Sequence, residues 1–139
     1  MRTIAPLAAL GLLAGCAASH AIQPQLAPAS VNFGGATVAR VQLDNFDFAP
    51  RQIHLRAGRP YQLELANVAS GGHDFAAPEF FAAARIAPAD AALVTEGEVD
   101  VPGRTTRTVH LVPAAGTYKL VCTHLGHALL GMTGTIVVD

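Results

Sequence analysis

The segment that decides the fold is Cys122-Thr-His-Leu-Gly-His127-Ala-Leu-Leu-Gly-Met132, which places a thiol, an imidazole and a thioether at equal five-residue intervals. Two short runs rich in Val, Ile, Leu, Thr and Tyr flank it, at residues 117–122 and 133–138. Runs of this composition and length are typical of β-strands. The segment is therefore predicted to be a loop that joins two strands and carries three potential metal ligands.

The donor atoms of this loop favour copper. Soft sulfur ligands prefer copper to hard metal ions, and two imidazoles with one thiolate and a long axial Met form an electron-transferring copper centre. The loop supplies one imidazole at His127. The other is expected upstream at His73, in the turn-rich residues 67–75 that follow a strand-like run at residues 61–66.

The remaining sequence indicates an all-β domain. Further strand-like runs share short length, alternating character and flanking turn residues; they lie at residues 38–43, 52–56, 61–66 and 104–112. Six or more such runs without long helices between them indicate an antiparallel sandwich or barrel. Residues 78–85 begin with Pro and contain an Ala run, which predicts one short helix with Phe80 and Phe81 in the core.

Composition limits the classes of function. With 139 residues, 51% of them hydrophobic and 14% charged, the chain can bury one core without disulfides. A nucleic-acid partner is not expected, because phosphate binding needs clustered positive charge and the formal net charge here is −1. Internal repeats and glycine-rich nucleotide-binding loops are absent from the sequence.

The N-terminal residues predict export and lipidation. Residues 1–15 carry one basic residue, then an apolar run and small residues, which is the pattern of a signal peptide. Their end, Leu13-Ala14-Gly15-Cys16, resembles the lipobox of bacterial lipoproteins, in which the Cys is lipidated and becomes the first residue. Residues 16–36 are then expected to be a lipidated Cys16 and a flexible tether. Residues 37–139 form the predicted domain.

This reading places the protein on the periplasmic or another extracytoplasmic face of a membrane. Ala17 favours the outer membrane, because Asp is typical at that position in lipoproteins retained in the inner one. A lipidated Cys16 cannot form a disulfide, so Cys122 is left as a thiol in an oxidising compartment. Metal ligation would explain it, and a disulfide between the two cysteines or a buried apolar role is the alternative.

Three segments together resemble the cupredoxins, the type 1 blue copper proteins such as plastocyanin, azurin and auracyanin. They are residues 72–75, 118–127 and 131–138, and the likeness extends over about residues 37–139. The resemblance implies a Greek-key β-sandwich of about seven to eight strands, holding one copper ion that alternates between Cu(I) and Cu(II). The ligands that it implies are His73, Cys122, His127 and Met132.

Two positions depart from the family pattern. Asp74 stands where the family usually has Asn, and Leu125 stands where Pro is common. Asp74 could accept hydrogen bonds from the amide or hydroxyl of Thr123 and so join the two ligand segments. Its negative charge is expected to stabilise Cu(II) over Cu(I) and lower the reduction potential.

Several residues of the loop have more than one interpretation. His124 could replace His127 as ligand, bind a second metal ion or lie on the surface. Met132 shares strand parity with Ile136 and Val138 and could be an ordinary core residue. The nearby leucines could form a docking surface for redox partners or could belong to the core; they are Leu125, Leu129 and Leu130.

The function predicted from these features is single-electron transfer between redox partner proteins by a monomer, without enzymatic activity. The alternative is a periplasmic copper protein for sequestration, delivery or tolerance. A multicopper oxidase is disfavoured because it needs a His-Cys-His element and Val121 precedes Cys122. A binuclear copper site needs a second Cys where Gly126 stands, and zinc rarely recruits Met.

Overall fold

A computed structural model describes residues 22–139, so the predicted signal peptide and Cys16 lie outside the described residues. The described part contains eleven strands and two short helices. The strands are β1 (Gln25–Leu26), β2 (Thr37–Asp44), β3 (Asp47–Ala49), β4 (Gln52–Leu55), β5 (Tyr61–Asn67), β6 (His73–Ala76), β7 (Arg85–Ile86), β8 (Glu98–Val101), β9 (Thr106–Val112), β10 (Gly116–Val121) and β11 (Thr133–Val138). The helices are α1 (Pro78–Ala83) and a 3-10 helix (Pro88–Leu93).

These strands form two sheets that enclose one core. One sheet has the order β1-β7-β9-β5-β2-β3 and the other the order β4-β11-β10-β6-β8. Alternate residues of β5 are buried, as expected for a strand with one face toward a core. Phe48 of the first sheet meets Phe75 of the second edge to face, with ring centres 6.1 Å apart. The all-β sandwich predicted from the sequence is confirmed.

The predicted helix covers one side of this core. Phe80 and Phe81 are buried, as predicted. Helix α1 ends at Ala83, earlier than predicted, because Arg85 and Ile86 pair with β9 as strand β7. The 3-10 helix was not predicted.

The sheets are mixed, which corrects the antiparallel arrangement expected from the sequence. Strand β2 pairs with β5 in parallel, although β3 and β4 lie between them in the chain. The reason is that β3 pairs with β2 while β4 pairs with β11 in the other sheet. The chain therefore crosses between the sheets and returns in the direction of β2.

All six predicted strands form, with ends shifted by two residues or fewer. Of the strands not predicted, β1, β3 and β7 have only two or three residues, too few to show a periodic pattern. Strand β6 is buried at every position, so it shows no alternation either. These strands are defined by their partners in the sheets and not by their own sequences.

Part of the segment predicted to be a flexible tether packs on the domain. Gln25 and Leu26 pair in parallel with Arg85 and Ile86, and the amide of Ala27 donates to the carbonyl of Ile86 at 2.8 Å. The pairing occurs because the edge of β7 offers unpaired backbone groups to another strand. No helix in residues 22–139 is both long enough and apolar enough to cross a membrane.

The sheet order brings the predicted ligand segments to one end of the sandwich. Strands β10 and β11 pair up to Val121 and Thr133, so the loop of residues 122–132 emerges between them. Strand β6 pairs with β10 through Ala76 and Val121 in antiparallel register. Since β6 begins at His73, that histidine lies beside the loop.

Candidate metal centre

The loop of residues 122–132 is held closed by its own backbone. The amide of Cys122 donates to the carbonyl of Met132 at 3.1 Å, and the amide of Met132 donates to the carbonyl of His127 at 3.0 Å. Gly126 and Gly131 have φ angles of 82° and 99°, which glycine adopts without steric cost. The sequence spacing thus becomes a compact turn that joins all three predicted loop ligands through main-chain hydrogen bonds.

Three of the predicted ligands converge on one point. The Nδ1 atoms of His73 and His127 are 3.2 Å apart, and the Sγ atom of Cys122 lies 3.8 Å from the first and 3.5 Å from the second. His73 and Cys122 are buried, while His127 is half-buried. No element other than β6 and the loop contributes a donor to this group in residues 22–139.

The separations of these atoms fit a first-row metal ion. A point equidistant from three atoms so arranged lies about 2.0 Å from each, and imidazole nitrogen and thiolate sulfur bind zinc at roughly 2.0 to 2.3 Å. The donor set of two imidazoles and one thiol is the set expected from the sequence for copper.

Burial favours the neutral forms of these groups. It lowers the pKa of His73 below its ordinary value, and the adjacent His127 and His124 lower it further. Burial also raises the pKa of the Cys122 thiol. Metal binding therefore has to release the thiol proton, as is general for cysteine ligands. The Nε2 atom of His73 is buried and has no hydrogen-bond partner among the described residues.

Met132, the predicted axial ligand, is completely buried at the end of the loop that carries Cys122 and His127. Its backbone is fixed by the two hydrogen bonds to His127 and Cys122. Met132 also belongs to the main hydrophobic cluster together with Ile136 and Val138. Its burial suits both roles, so axial ligation stays a prediction.

Asp74 joins the two ligand segments through Thr123. The Thr123 amide donates to Oδ1 of Asp74 at 2.7 Å, and the Thr123 hydroxyl donates to Oδ2 at 2.7 Å. Asp74 is buried and follows His73 directly, whereas Thr123 follows Cys122. Each hydrogen bond to a carboxylate is of the stronger, charge-assisted kind. The pair therefore fixes the position of β6 relative to the loop.

His124 lies outside the group of three donors. Its ring centre is 6.3 Å from that of His73 and 5.5 Å from that of His127. Its Nε2 atom faces two carboxylates instead, at 3.6 Å from Asp74 and 4.0 Å from Asp100. The structure therefore favours His127 over His124 as the second imidazole ligand.

The three leucines of the loop are exposed, which rules out the core alternative for them. Leu125 is 100% exposed, Leu129 94% and Leu130 63%. They surround a half-buried His127 in the sequence. Their role in docking stays a prediction.

Two residues near the loop were not predicted. The Phe46 ring packs edge-on against the His127 ring, with centres 5.1 Å apart. Arg51 donates from Nη1 to the carbonyl of Gly131 at 3.1 Å. Both are far from the loop in sequence and belong to no motif, so only the fold reveals them.

Comparisons with known proteins agree with this site. The sequence matches the family described as copper binding proteins, plastocyanin/azurin family, over residues 36–139. No curated protein sequence matches the chain. Three auracyanin structures are similar in fold, and at their low sequence identity they are informative about the fold alone.

Auracyanin B is 24% identical, with 78% of this chain and 93% of that chain covered and a TM-score of 0.57. Dithionite-reduced auracyanin from Roseiflexus castenholzii is 17% identical, with 76% and 99% covered and a TM-score of 0.57. Auracyanin A, a "blue" copper protein from Chloroflexus aurantiacus, is 22% identical, with 76% and 100% covered and a TM-score of 0.54.

Proposed function

This chain belongs to the plastocyanin/azurin family of copper-binding proteins, and from that premise we propose that it transfers single electrons between redox partner proteins. Its cofactor is one copper ion. The observation that carries the proposal is the triangle of donor atoms from His73, Cys122 and His127, with sides of 3.2, 3.5 and 3.8 Å. Bound copper supplies a one-electron couple between Cu(II) and Cu(I).

The protein's contribution is a rigid set of ligands. Asp74 and Thr123 hold β6 to the loop, and backbone hydrogen bonds hold Cys122, His127 and Met132 to one another. Because the ligands are fixed before the metal changes its charge, little reorganisation is needed on electron transfer. Burial of His73 and Cys122 also excludes water from two of the three donors. These properties suit carriage of electrons more than catalysis on a substrate.

A surface route for the electron is provided by His127. It is the only half-buried member of the donor triangle, and exposed leucines lie on both sides of it in the chain. Exposed apolar patches usually mark interaction sites, and small interfaces suit weak, transient redox partners. We propose that Leu125, Leu129 and Leu130 form the docking surface.

We further propose that the domain is tethered by lipid on Cys16 to the periplasmic or extracytoplasmic face of a membrane, preferably the outer one. This part of the proposal rests on the sequence of residues 1–17 alone, with its apolar run, its lipobox-like ending and Ala17. The domain is proposed to act as a monomer.

A second candidate function is copper sequestration or delivery. The observation that favours it is the position of His124, which is partly exposed and faces the carboxylates of Asp74 and Asp100 beside the buried donors. Such groups could hold a second copper ion or pass copper to another protein.

The two functions are tested by copper stoichiometry and by electron self-exchange between the Cu(I) and Cu(II) forms. A carrier binds one copper ion and shows rapid exchange broadening of its NMR signals when the two forms are mixed. A handling protein binds a second ion and shows slow exchange. Slow exchange with one bound copper would contradict the proposed electron transfer.

A further inference from the structure

Phe46 occupies a backbone conformation that is unfavourable for phenylalanine. Asp44 and Asp47 pair across β2 and β3, so Asn45 and Phe46 form a two-residue turn between them. The φ angle of Phe46 is 62°, in the left-handed region. Glycine or asparagine is the usual residue at such a turn position, because a larger side chain collides with the backbone. A Phe at this position suggests a role for its ring.

The ring of Phe46 is directed at one of the metal-binding residues. It meets the His127 imidazole nearly perpendicularly, at an interplanar angle of 89° and a centre-to-centre distance of 5.1 Å. This is the favourable edge-to-face arrangement of aromatic rings. Apart from the two other histidines, Phe46 is the only ring in residues 22–139 that packs against His127. The contact lies near the surface, since Phe46 is 37% exposed and His127 is half-buried.

The turn that carries Phe46 is also connected to the far end of the ligand loop. Asp47 forms an ion pair with Arg51, whose Nε atom lies 2.7 Å from Oδ1, and Nη1 of Arg51 donates to the carbonyl of Gly131 at 3.1 Å. Gly131 directly precedes Met132 in the loop. The turn therefore has a defined position relative to the metal centre, and the contact between Phe46 and His127 is a consequence of it.

We propose that Phe46 is a positioning residue that holds the His127 imidazole toward the metal and slows the release of copper. The turn has an unfavourable backbone conformation at Phe46, and the aromatic ring that it carries packs against the one partly exposed ligand. This inference rests on the proposed copper centre and deepens it, by assigning retention of the metal to a residue outside the ligand segments.

The test compares variants that separate the ring from the backbone conformation. Phe46→Gly and Phe46→Asn both suit a positive φ angle but remove the ring, whereas Phe46→Tyr keeps the ring. Glu96→Gly is the matched control, because Glu96 also has a positive φ angle, 54°, and lies between the 3-10 helix and β8, outside β6 and the ligand loop. The probe is excess EDTA added to the Cu(II) protein, with bound copper measured over time by elemental analysis. Thermal unfolding of the metal-free protein is measured in parallel.

We expect Phe46→Gly and Phe46→Asn to release copper about tenfold faster, in line with the effect of removing a group that orients a ligand. Their metal-free forms should unfold at the same temperature as the unmodified protein or higher. Phe46→Tyr and Glu96→Gly should release copper at the original rate. The NMR signals of His127 in the Cu(I) protein should lose the ring-current shift in the first two variants only.

Unchanged copper release in both ring-deletion variants would overturn the inference, as would equally fast release in Glu96→Gly. Release of copper and electron self-exchange are separate measurements. A protein that retains copper through Phe46 but exchanges electrons slowly would overturn the proposed electron transfer and leave this inference intact.

Discussion

Thr123 donates two hydrogen bonds to Asp74, from its amide to Oδ1 and from its hydroxyl to Oδ2, both at 2.7 Å. Because Asp74 directly follows His73 and Thr123 directly follows Cys122, this pair joins the two segments that carry these potential donors. It also places a buried carboxylate next to the copper centre. A negative charge at this position should stabilise Cu(II) more than Cu(I).

The first prediction concerns this charge. Asp74→Asn should raise the reduction potential by tens of millivolts, where about 59 mV corresponds to a tenfold change in a one-electron equilibrium. The amide oxygen can still accept one hydrogen bond from Thr123, so the fold should persist. Asp100→Asn is the control, because Asp100 pairs with Asp74 across β6 and β8 but its side chain is 71% exposed. Cyclic voltammetry measures the reduction potentials of both variants. A lower or unchanged potential in Asp74→Asn would contradict the prediction.

The second prediction identifies the thiolate ligand. Cys122→Ser should abolish the intense thiolate-to-Cu(II) absorption band of the copper-loaded protein, since no other cysteine lies in the described residues. The hydroxyl is a harder and weaker ligand for copper. The visible spectrum of the Cu(II) protein is the measurement. Survival of the intense band would show that Cys122 does not bind the metal.

The third prediction separates electron transfer from copper handling. His124→Ala should leave one copper ion per chain and an unaltered spectrum, because the His124 ring lies outside the donor triangle. Copper titration measures the number of copper ions bound per chain, and visible spectroscopy of the loaded protein checks the spectrum. The opposite outcome, loss of a second bound copper on this substitution, would favour the handling function.

The fourth prediction tests the docking surface. Leu129→Asp and Leu130→Asp should slow electron exchange with a physiological partner, because they place charge in an exposed apolar patch. Each should change the free energy of unfolding by no more than about 0.5 kcal/mol, as is usual for surface substitutions. Leu26→Asp is a matched control on the exposed face of β1. Loss of folding, or equal slowing by the control, would argue against the patch as a docking site.

The fifth prediction concerns the N-terminus. The mature protein should begin at a lipidated Cys16, because residues 13–16 resemble a lipobox, and it should fractionate with outer membranes, because Ala17 is not the Asp typical of inner-membrane retention. Mass spectrometry of the N-terminal peptide checks the modification, and Cys16→Ser should release the domain from the membrane without altering its copper spectrum. An unmodified peptide that begins elsewhere would remove the anchor and make a disulfide between Cys16 and Cys122 available again.

Much of the metal centre could be predicted from the sequence for a local reason. Cys122, His127 and Met132 lie in one short loop between two strands, so their spacing alone brings them near one another. The long strands were predictable because their alternating residues reflect burial on one face. The sequence did not predict the very short strands β1, β3 and β7, because two or three residues show no periodic pattern.

The sequence by itself determined which donor atoms are available, their softness and the loop that carries most of them, because these depend on residue type and local spacing. Only the tertiary structure decided which imidazoles complete the set and what surrounds them. His73 reaches Cys122 because β6 pairs with β10, and Phe46 reaches His127 because the turn after β2 lies at the same end of the sandwich. The exposure of Leu129 was also decided there, since an apolar residue in a loop fits a core and a docking surface equally well until the chain is folded.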